Sequence, residues 1–300
     1  MKNPSVSLPR IPVALARARD YWALSKPRVT LLVWATTLAG MVLAARIGGW
    51  HIGGSLLFHT LLGSWFVIAS ANVLNQVIEV EADSRMKRTQ HRPLPDGRVS
   101  LTEGLAVGVV WGTLGLAQLF WFVNPMTAAL GALSIALYVF AYTPLKPKSH
   151  LATAIGAIPG AIPPLAGWTA VTGQIGVTGI ILFAIQFLWQ FPHFWAIAWL
   201  VKEDYDAAGF KMLPFPGASG EATATACLHY AAATAPFALA LALRLERPIV
   251  YVVAAIPLCA WFAYSCYQFK RSPDQAMARK VLKASIGFLP LLLLAAIAAS

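Results

Sequence analysis

The chain has 300 residues, 58% hydrophobic and only 12% charged, with 23 Lys and Arg against 12 Asp and Glu and a formal net charge of +11. A soluble domain carries about 25% charged residues, so there is too little polar side chain here to coat a water-facing globule. The basic excess sits in short loops between apolar blocks, which reads as topology signalling and attraction to membrane lipid, with no nucleic-acid partner.

In chain order, residues 1–28 form a basic segment with six Lys or Arg and one acid, Asp20. It lacks a short apolar block followed by a small-residue cleavage site, so a cytoplasmic N-terminal segment is expected; an Arg-rich mitochondrial transit segment is the alternative. Residues 29–300 read as one all-α polytopic transmembrane bundle, because each apolar block is long enough for a bilayer core. About nine spans are predicted, at 29–46, 54–76, 101–122, 125–143, 152–172, 176–200, 222–243, 247–268 and 284–299. Asn124-Pro125 makes the tight turn between the third and fourth. The fifth span holds Pro159, Pro163 and Pro164 among Gly156, Gly160 and Gly167. A broken helix lining a pocket is expected there. In the sixth, Pro192 is expected to kink the helix by removing a backbone donor, beside the polar Gln190 and His193. Cys227, Cys259 and Cys266 lie in apolar blocks without metal or redox spacing and read as packing residues.

Twenty of the 23 Lys and Arg lie in the N-terminal segment and the loops after even-numbered spans; Arg46, Arg244 and Arg247 follow odd-numbered ones. This asymmetry predicts a cytoplasmic N-terminus and an external C-terminus, in a bacterial plasma membrane, with the mitochondrial inner membrane as the alternative.

Six of the twelve acids gather at two cytoplasmic span ends. After span two, Asn75, Glu79 and Asp83 are spaced i, i+4, i+8 and share one face if the helix continues. Such oxygen donors suit Mg²⁺, which often shares its shell with substrate phosphates. After span six comes Lys202-Glu203-Asp204-Tyr205-Asp206, with Asp204 the expected ligand. Arg88 and Arg92 follow the first cluster, and Arg forks match phosphate oxygens. Span four ends in Tyr142 and Lys146, a diphosphate contact or a snorkelling anchor. His193, deep in span six, is a helix–helix hydrogen bond, a proton carrier or a ligand to a metal-containing substrate.

The stretch Asn75 to Pro95 resembles the first Asp-rich motif of the UbiA-type membrane prenyltransferases. Met86-Lys-Arg-Thr-Gln-His-Arg-Pro-Leu94, Lys26-Pro-Arg-Val-Thr30, Tyr142-Thr-Pro-Leu-Lys146 with Gly156 to Trp168, and Trp189-Gln-Phe-Pro-His-Phe194 with Asp204 to Pro214 resemble the branch of that family that acts on haem b. The likeness runs in order from about residue 20 to residue 215 and is patchy beyond. Gln76 and Glu79 stand where the family usually has aspartates, Ala208 where the second motif has its second acid, and Pro147 where a basic residue often follows the lysine.

The resemblance implies a UbiA-type fold and transfer of a farnesyl group from farnesyl diphosphate to a vinyl group of haem b, with water added, giving haem O. It implies Mg²⁺ held by Asn75, Glu79, Asp83 and Asp204, which are also the catalytic residues. Arg28, Arg88, Arg92, Tyr142 and Lys146 then meet the diphosphate substrate, and His193 orients haem. The rival readings are prenylation of an aromatic quinone precursor and a polytopic transporter.

Overall fold

The computed structural model describes residues 13–300; residues 1–12, with Lys2 and Arg10 of the basic segment, lie outside the described part. The described residues form twelve helical segments and no strand: α1 Val13–Leu24, α2 Pro27–Gly48, α3 Gly54–Ile78, α4 Val80–Arg85, α5 Leu101–Phe122, α6 Pro125–Leu145, α7 Ala152–Thr172, α8 Gly176–Leu200, α9 Lys202–Ala207, α10 Gly220–Arg244, α11 Pro248–Arg271 and α12 Gln275–Ala299. Nine of these are long and apolar enough to cross a membrane, as the apolar blocks predicted, and the protein is a multi-pass membrane protein.

Proline opens α2, α6 and α11, where its fixed φ suits the first turn and its missing N–H costs nothing. Asn124 caps α6 by accepting from Thr127 N at 2.8 Å, which makes the predicted tight turn between α5 and α6. The last span starts nearer Gln275 than the predicted 284, because Asp274 caps it by accepting from Met277 N at 2.8 Å. Arg279, Lys280 and Lys283, expected in a loop, therefore stand on the first turns of a helix.

The spans pack α2 on α3, α3 on α6, α6 on α7, α7 on α8, α8 on α12 and α12 on α2, closing a ring across which α2 and α7 also pack directly on each other, with α5, α10 and α11 packed against its outside. In lipid no hydrophobic difference drives helices together, so close backbone approach and interhelical hydrogen bonds must do so. Gly104, Gly108, Gly112 and Gly115 of α5 are buried. A Cβ on Gly115 would sit 2.8 Å from Val67 N of α3. Ser70 of α3 donates to the Gly108 carbonyl at 2.7 Å.

The fifth span departs from expectation: α7 runs unbroken through Pro159, Pro163 and Pro164. The Gly160 carbonyl, which Pro164 deprives of its helical donor, receives Gln186 Nε2 of α8 at 2.8 Å. Gln190 Nε2 reaches the Ala157 carbonyl at 3.1 Å. A side-chain amide from the neighbouring helix thus replaces the backbone donor lost at Gly160, while Gln190 adds a second interhelical bond, to a carbonyl four residues before Ala161 and not before a proline. Pro192 likewise lies inside an unbroken α8. On its other face α7 presses against α2, where a Cβ on Gly167 would lie 1.9 Å from the Thr37 carbonyl oxygen.

Backbone on backbone leaves no side chain to yield at Gly167. G167A is expected to force α2 from α7 at a cost of about 1–3 kcal/mol, read as a lower thermal midpoint of the protein purified in detergent.

Candidate functional site

One end of the ring carries α4, α9 and the loops between α6 and α7 and between α9 and α10. An apolar cluster of Met86, Ala152, Ala198, Ala208, Phe210 and Met212 holds these pieces together. Lys211 N donates to the Lys146 carbonyl at 2.7 Å. Ala208, where the family pattern has an acid, is buried in this cluster, so a carboxylate there would be desolvated.

The helix carrying the first acidic row does not run straight on. Glu79 lies between α3 and α4 with φ −95° and ψ 11°. Even so, Glu79 N bonds the Asn75 carbonyl at 2.9 Å and Asp83 N the Glu79 carbonyl at 2.7 Å, so the i, i+4 register survives the break. Asn75, Glu79 and Asp83 are all buried, at 2%, 6% and 1% exposure. Glu81 turns outward and pairs with Arg85.

Each buried acid faces a base. Lys146 Nζ lies 2.7 Å from Glu79 Oε1. This is an ion contact without hydrogen-bond alignment, and Glu79 Oε1 is buried with no hydrogen-bond donor. Arg92 donates to Asp83 Oδ2 at 2.8 Å. Thr89 Oγ1 bonds the Asp83 carbonyl at 2.8 Å, folding the basic loop back onto the acid that precedes it.

Asn75 Nδ2 donates to Thr143 Oγ1 at 3.0 Å, which turns Asn75 Oδ1 toward Lys26 Nζ at 3.4 Å. Thr143 follows a six-residue π-helical stretch, Leu137–Tyr142, whose wide turn sits where such bulges often mark functional sites. Tyr142 lies at its end, with Lys146 Nζ 4.5 Å above its ring, so the i, i+4 relation holds despite Pro144. Gly156 of α7 abuts the same ring, since a Cβ there would be 2.6 Å from Tyr142 Cδ2. The fifth span thus borders the Tyr142 side of the site.

Gln76, which breaks the family pattern, is used structurally. Its buried amide donates to the Leu24 and Asn72 carbonyls, both at 2.9 Å, and ties down the turn from α1 into α2. That turn carries Lys26 in the left-handed region, at φ 50° and ψ 61°. Such a backbone costs a non-glycine residue about 1–3 kcal/mol. Desolvation, then the nearby charges of Arg92 and Lys146, pull the Lys26 ammonium down to about 7 against the opposite pull of Glu79 and Asp83.

Lys26 is the cation that motif spacing missed: Arg28 was chosen from the same stretch, but it stands exposed, two residues along. The available signal was Pro27, which biases the residue before it away from the helical region.

Asp204 is the inward acid of the second cluster, 3.2 Å from Lys87 N and 3.9 Å from Arg88 Nε. Asp206 pairs outward with Lys202 at 2.5 Å, and Glu203 is exposed. Arg88 stacks over Tyr205 at 5.0 Å. Among the described residues no three His, Cys, Asp or Glu side chains converge as a metal cluster, so Glu79, Asp83 and Asp204 do not meet at one point, and the row itself offers Asn75, Glu79 and Asp83. His193 stands apart from the acids, about 10 Å of helix rise before the end of α8 at Leu200.

Breaking a buried ion pair from one side strands a charge, which costs about 3–5 kcal/mol. K146M is therefore expected to destabilise the purified protein by that order, and the double variant K146M/E79Q by clearly less, in thermal unfolding followed by circular dichroism.

The profile of a family described as "UbiA prenyltransferase family" matches residues 33–289. A relative from Koribacter versatilis (strain Ellin345), named protoheme IX farnesyltransferase, is 40% identical over 294 residues, covering 96% of this chain and 94% of the relative. One from Arabidopsis thaliana, named protoheme IX farnesyltransferase, mitochondrial, is 38% identical over 273 residues, 91% of this chain and 63% of the relative. Among solved structures, a UbiA homolog from Archaeoglobus fulgidus bound to GPP and Mg²⁺ shares the fold at a TM-score of 0.67 and 16% identity, over 93% of this chain and 99% of that one. With nine spans, the acidic and basic row in place and these likenesses over nearly its whole length, the chain belongs to the UbiA prenyltransferase family, on the branch of relatives named protoheme IX farnesyltransferase.

Proposed function

We propose that this protein transfers a farnesyl group from farnesyl diphosphate to a vinyl group of haem b, with addition of water, giving haem O and diphosphate. The observation that carries the chemistry is the pairing of a buried row of oxygen donors with its own set of cations at one end of an apolar bundle: Glu79 with Lys146, Asp83 with Arg92, Asn75 with Lys26. The relatives' names supply the two substrates.

The donors suit Mg²⁺ in type, all being hard oxygens. Glu79 Oε1 is buried with Lys146 Nζ as its charged neighbour and no other donor, so a lone pair of that oxygen is left for a cation. Asn75, Glu79, Asp83 and Asp204 are the residues that would hold the metal, and when bound it would neutralise charge on the departing diphosphate.

Thr143 acts first on orientation. By accepting the Asn75 amide it leaves Asn75 Oδ1 as the only group of that side chain facing the site. Lys146, Arg92 and Arg88 exchange their carboxylate partners for phosphate oxygens, charge-assisted bonds of comparable strength. Lys26 joins them from the α1–α2 turn, and Tyr142 carries the Lys146 ammonium on its ring face. Arg28, exposed beside Lys26, meets the diphosphate from the membrane surface.

The carbon–oxygen bond of farnesyl diphosphate breaks, and the allylic cation is left in the bundle, shielded from premature water. The outer vinyl carbon of haem attacks it and a carbon–carbon bond forms. Water adds to the resulting cation beside the porphyrin and loses a proton to the medium. The residues named hold and neutralise the leaving group; none serves as a covalent nucleophile. In this reading His193 meets haem on the apolar side of the diphosphate site.

The acid-bearing face is the cytoplasmic one and the membrane a bacterial plasma membrane. The excess of Lys and Arg at that face supports this orientation.

Chromatography of haems extracted from expressing membranes tests the reaction. Wild type is expected to convert haem b to a more hydrophobic haem, and D83N to abolish that conversion while inserting normally. Normal haem O from D83N removes Asp83 from the site, and prenylation of an added quinone precursor instead of haem overturns the substrate. Because each carboxylate is held by its own base, Mg²⁺ or diphosphate added alone is expected to leave thermal unfolding of the purified protein nearly unchanged. The two together are expected to raise the midpoint.

A further inference from the structure

His193 is clamped by the last helix in a way that decides which of its nitrogens is offered. Its Nδ1 lies 2.8 Å from Ser285 Oγ of α12. Ser285 Oγ is also 2.7 Å from the Leu282 carbonyl oxygen. A carbonyl only accepts, and a serine hydroxyl has one proton to give. With that proton on the Leu282 carbonyl, Ser285 Oγ is the acceptor and His193 Nδ1–H the donor. The imidazole is then the Nδ1–H tautomer, with the lone pair on Nε2, and no hydrogen bond to Nε2 occurs among the described residues.

The ring is also held in place on one face. Trp189 stacks on His193 with centroids 4.9 Å apart and planes inclined by 24°. The Trp189 indole N–H donates to the Ser285 carbonyl at 2.8 Å. Ser285 is fully buried and so takes part in both restraints, through hydroxyl and carbonyl. A neutral imidazole with one nitrogen hydrogen-bonded by a fixed acceptor and the other free is the arrangement of a transition-metal ligand, and such an acceptor sets ring orientation and ligand basicity.

We infer that His193 Nε2 binds the iron of the haem acceptor and that Ser285 is the positioning residue that makes Nε2 available. The inference rests on the haem reading above. It gives the last span a part in the acceptor site, a span that the family-like motifs do not reach.

The test is haem b titrated into the purified full-length protein in detergent, followed by the Soret band and by electron paramagnetic resonance of the ferric form. Wild type is expected to show histidine-ligated iron and H193A to lose that signature. S285A is expected to weaken haem binding about 10–100-fold and alter the signature, whereas S285T, which keeps the hydroxyl, retains both. If S285A does not insert, S285C supplies the reading, with a weaker acceptor in nearly the same volume. Wild-type affinity and spectrum in S285A or S285C, with loss in H193A, overturn the role of Ser285 alone. An unchanged spectrum in H193A overturns the iron contact. A wild-type protein that binds no haem yet releases diphosphate from farnesyl diphosphate with another acceptor overturns the functional reading itself.

Discussion

The buried contact between Glu79 and Lys146 is the constraint on which the site depends. A carboxylate as buried as Glu79 is costly to keep charged at the end of an apolar bundle without a partner. Lys146 provides it, and Arg92 does the same for Asp83. These pairs are weak sources of stability, because desolvating both charges offsets most of their attraction. In the proposed reaction their value is in holding acids and bases side by side, so that a metal–diphosphate ligand would replace each attraction by another without stranding a charge.

The bundle is built to keep that row in register. Gly167 and Gly40 bring α7 and α2 into backbone contact, and Gly115 does the same for α5 against α3. Close approach substitutes for the hydrophobic drive that lipid removes. Where Pro164 deprives the Gly160 carbonyl of its backbone donor, Gln186 supplies one from α8, and Gln190 adds a bond to the Ala157 carbonyl, so a segment rich in breakers remains a continuous helix beside Tyr142. Polar side chains inside the membrane thus do two distinct jobs: those of α8 near its middle satisfy backbone, and those near the acid-bearing end face the site.

Much of this was legible in the chain. The nine spans followed from block length, and the Asn75, Glu79, Asp83 register from spacing alone. Two of the misses come from partners distant in the chain, and one from a local cap. The fifth span was expected to break because proline removes a donor, and the donor that replaces it comes from another helix. The last span was expected to begin near 284 because its charges looked like a loop, whereas Asp274 caps a helix that carries Arg279, Lys280 and Lys283 on its first turns. Gln76 looked like a lost ligand; its amide is spent on the Leu24 carbonyl, 52 residues away in the chain.

Composition and periodicity by themselves determined that the protein is a helical membrane bundle with its acids at one face, because a bilayer core demands long apolar blocks and those blocks are local in sequence. They also determined the row of Asn75, Glu79 and Asp83, since i, i+4 spacing is a property of one helix. Only the tertiary structure decided which base faces which acid, that Lys26 rather than Arg28 reaches the row, that Asp204 is the inward acid of its cluster, and that Ser285 meets His193 Nδ1. Apart from the local Asp83–Arg92 pair, those contacts join segments far apart in the chain, and which of them meet is settled by how closely the helices pack.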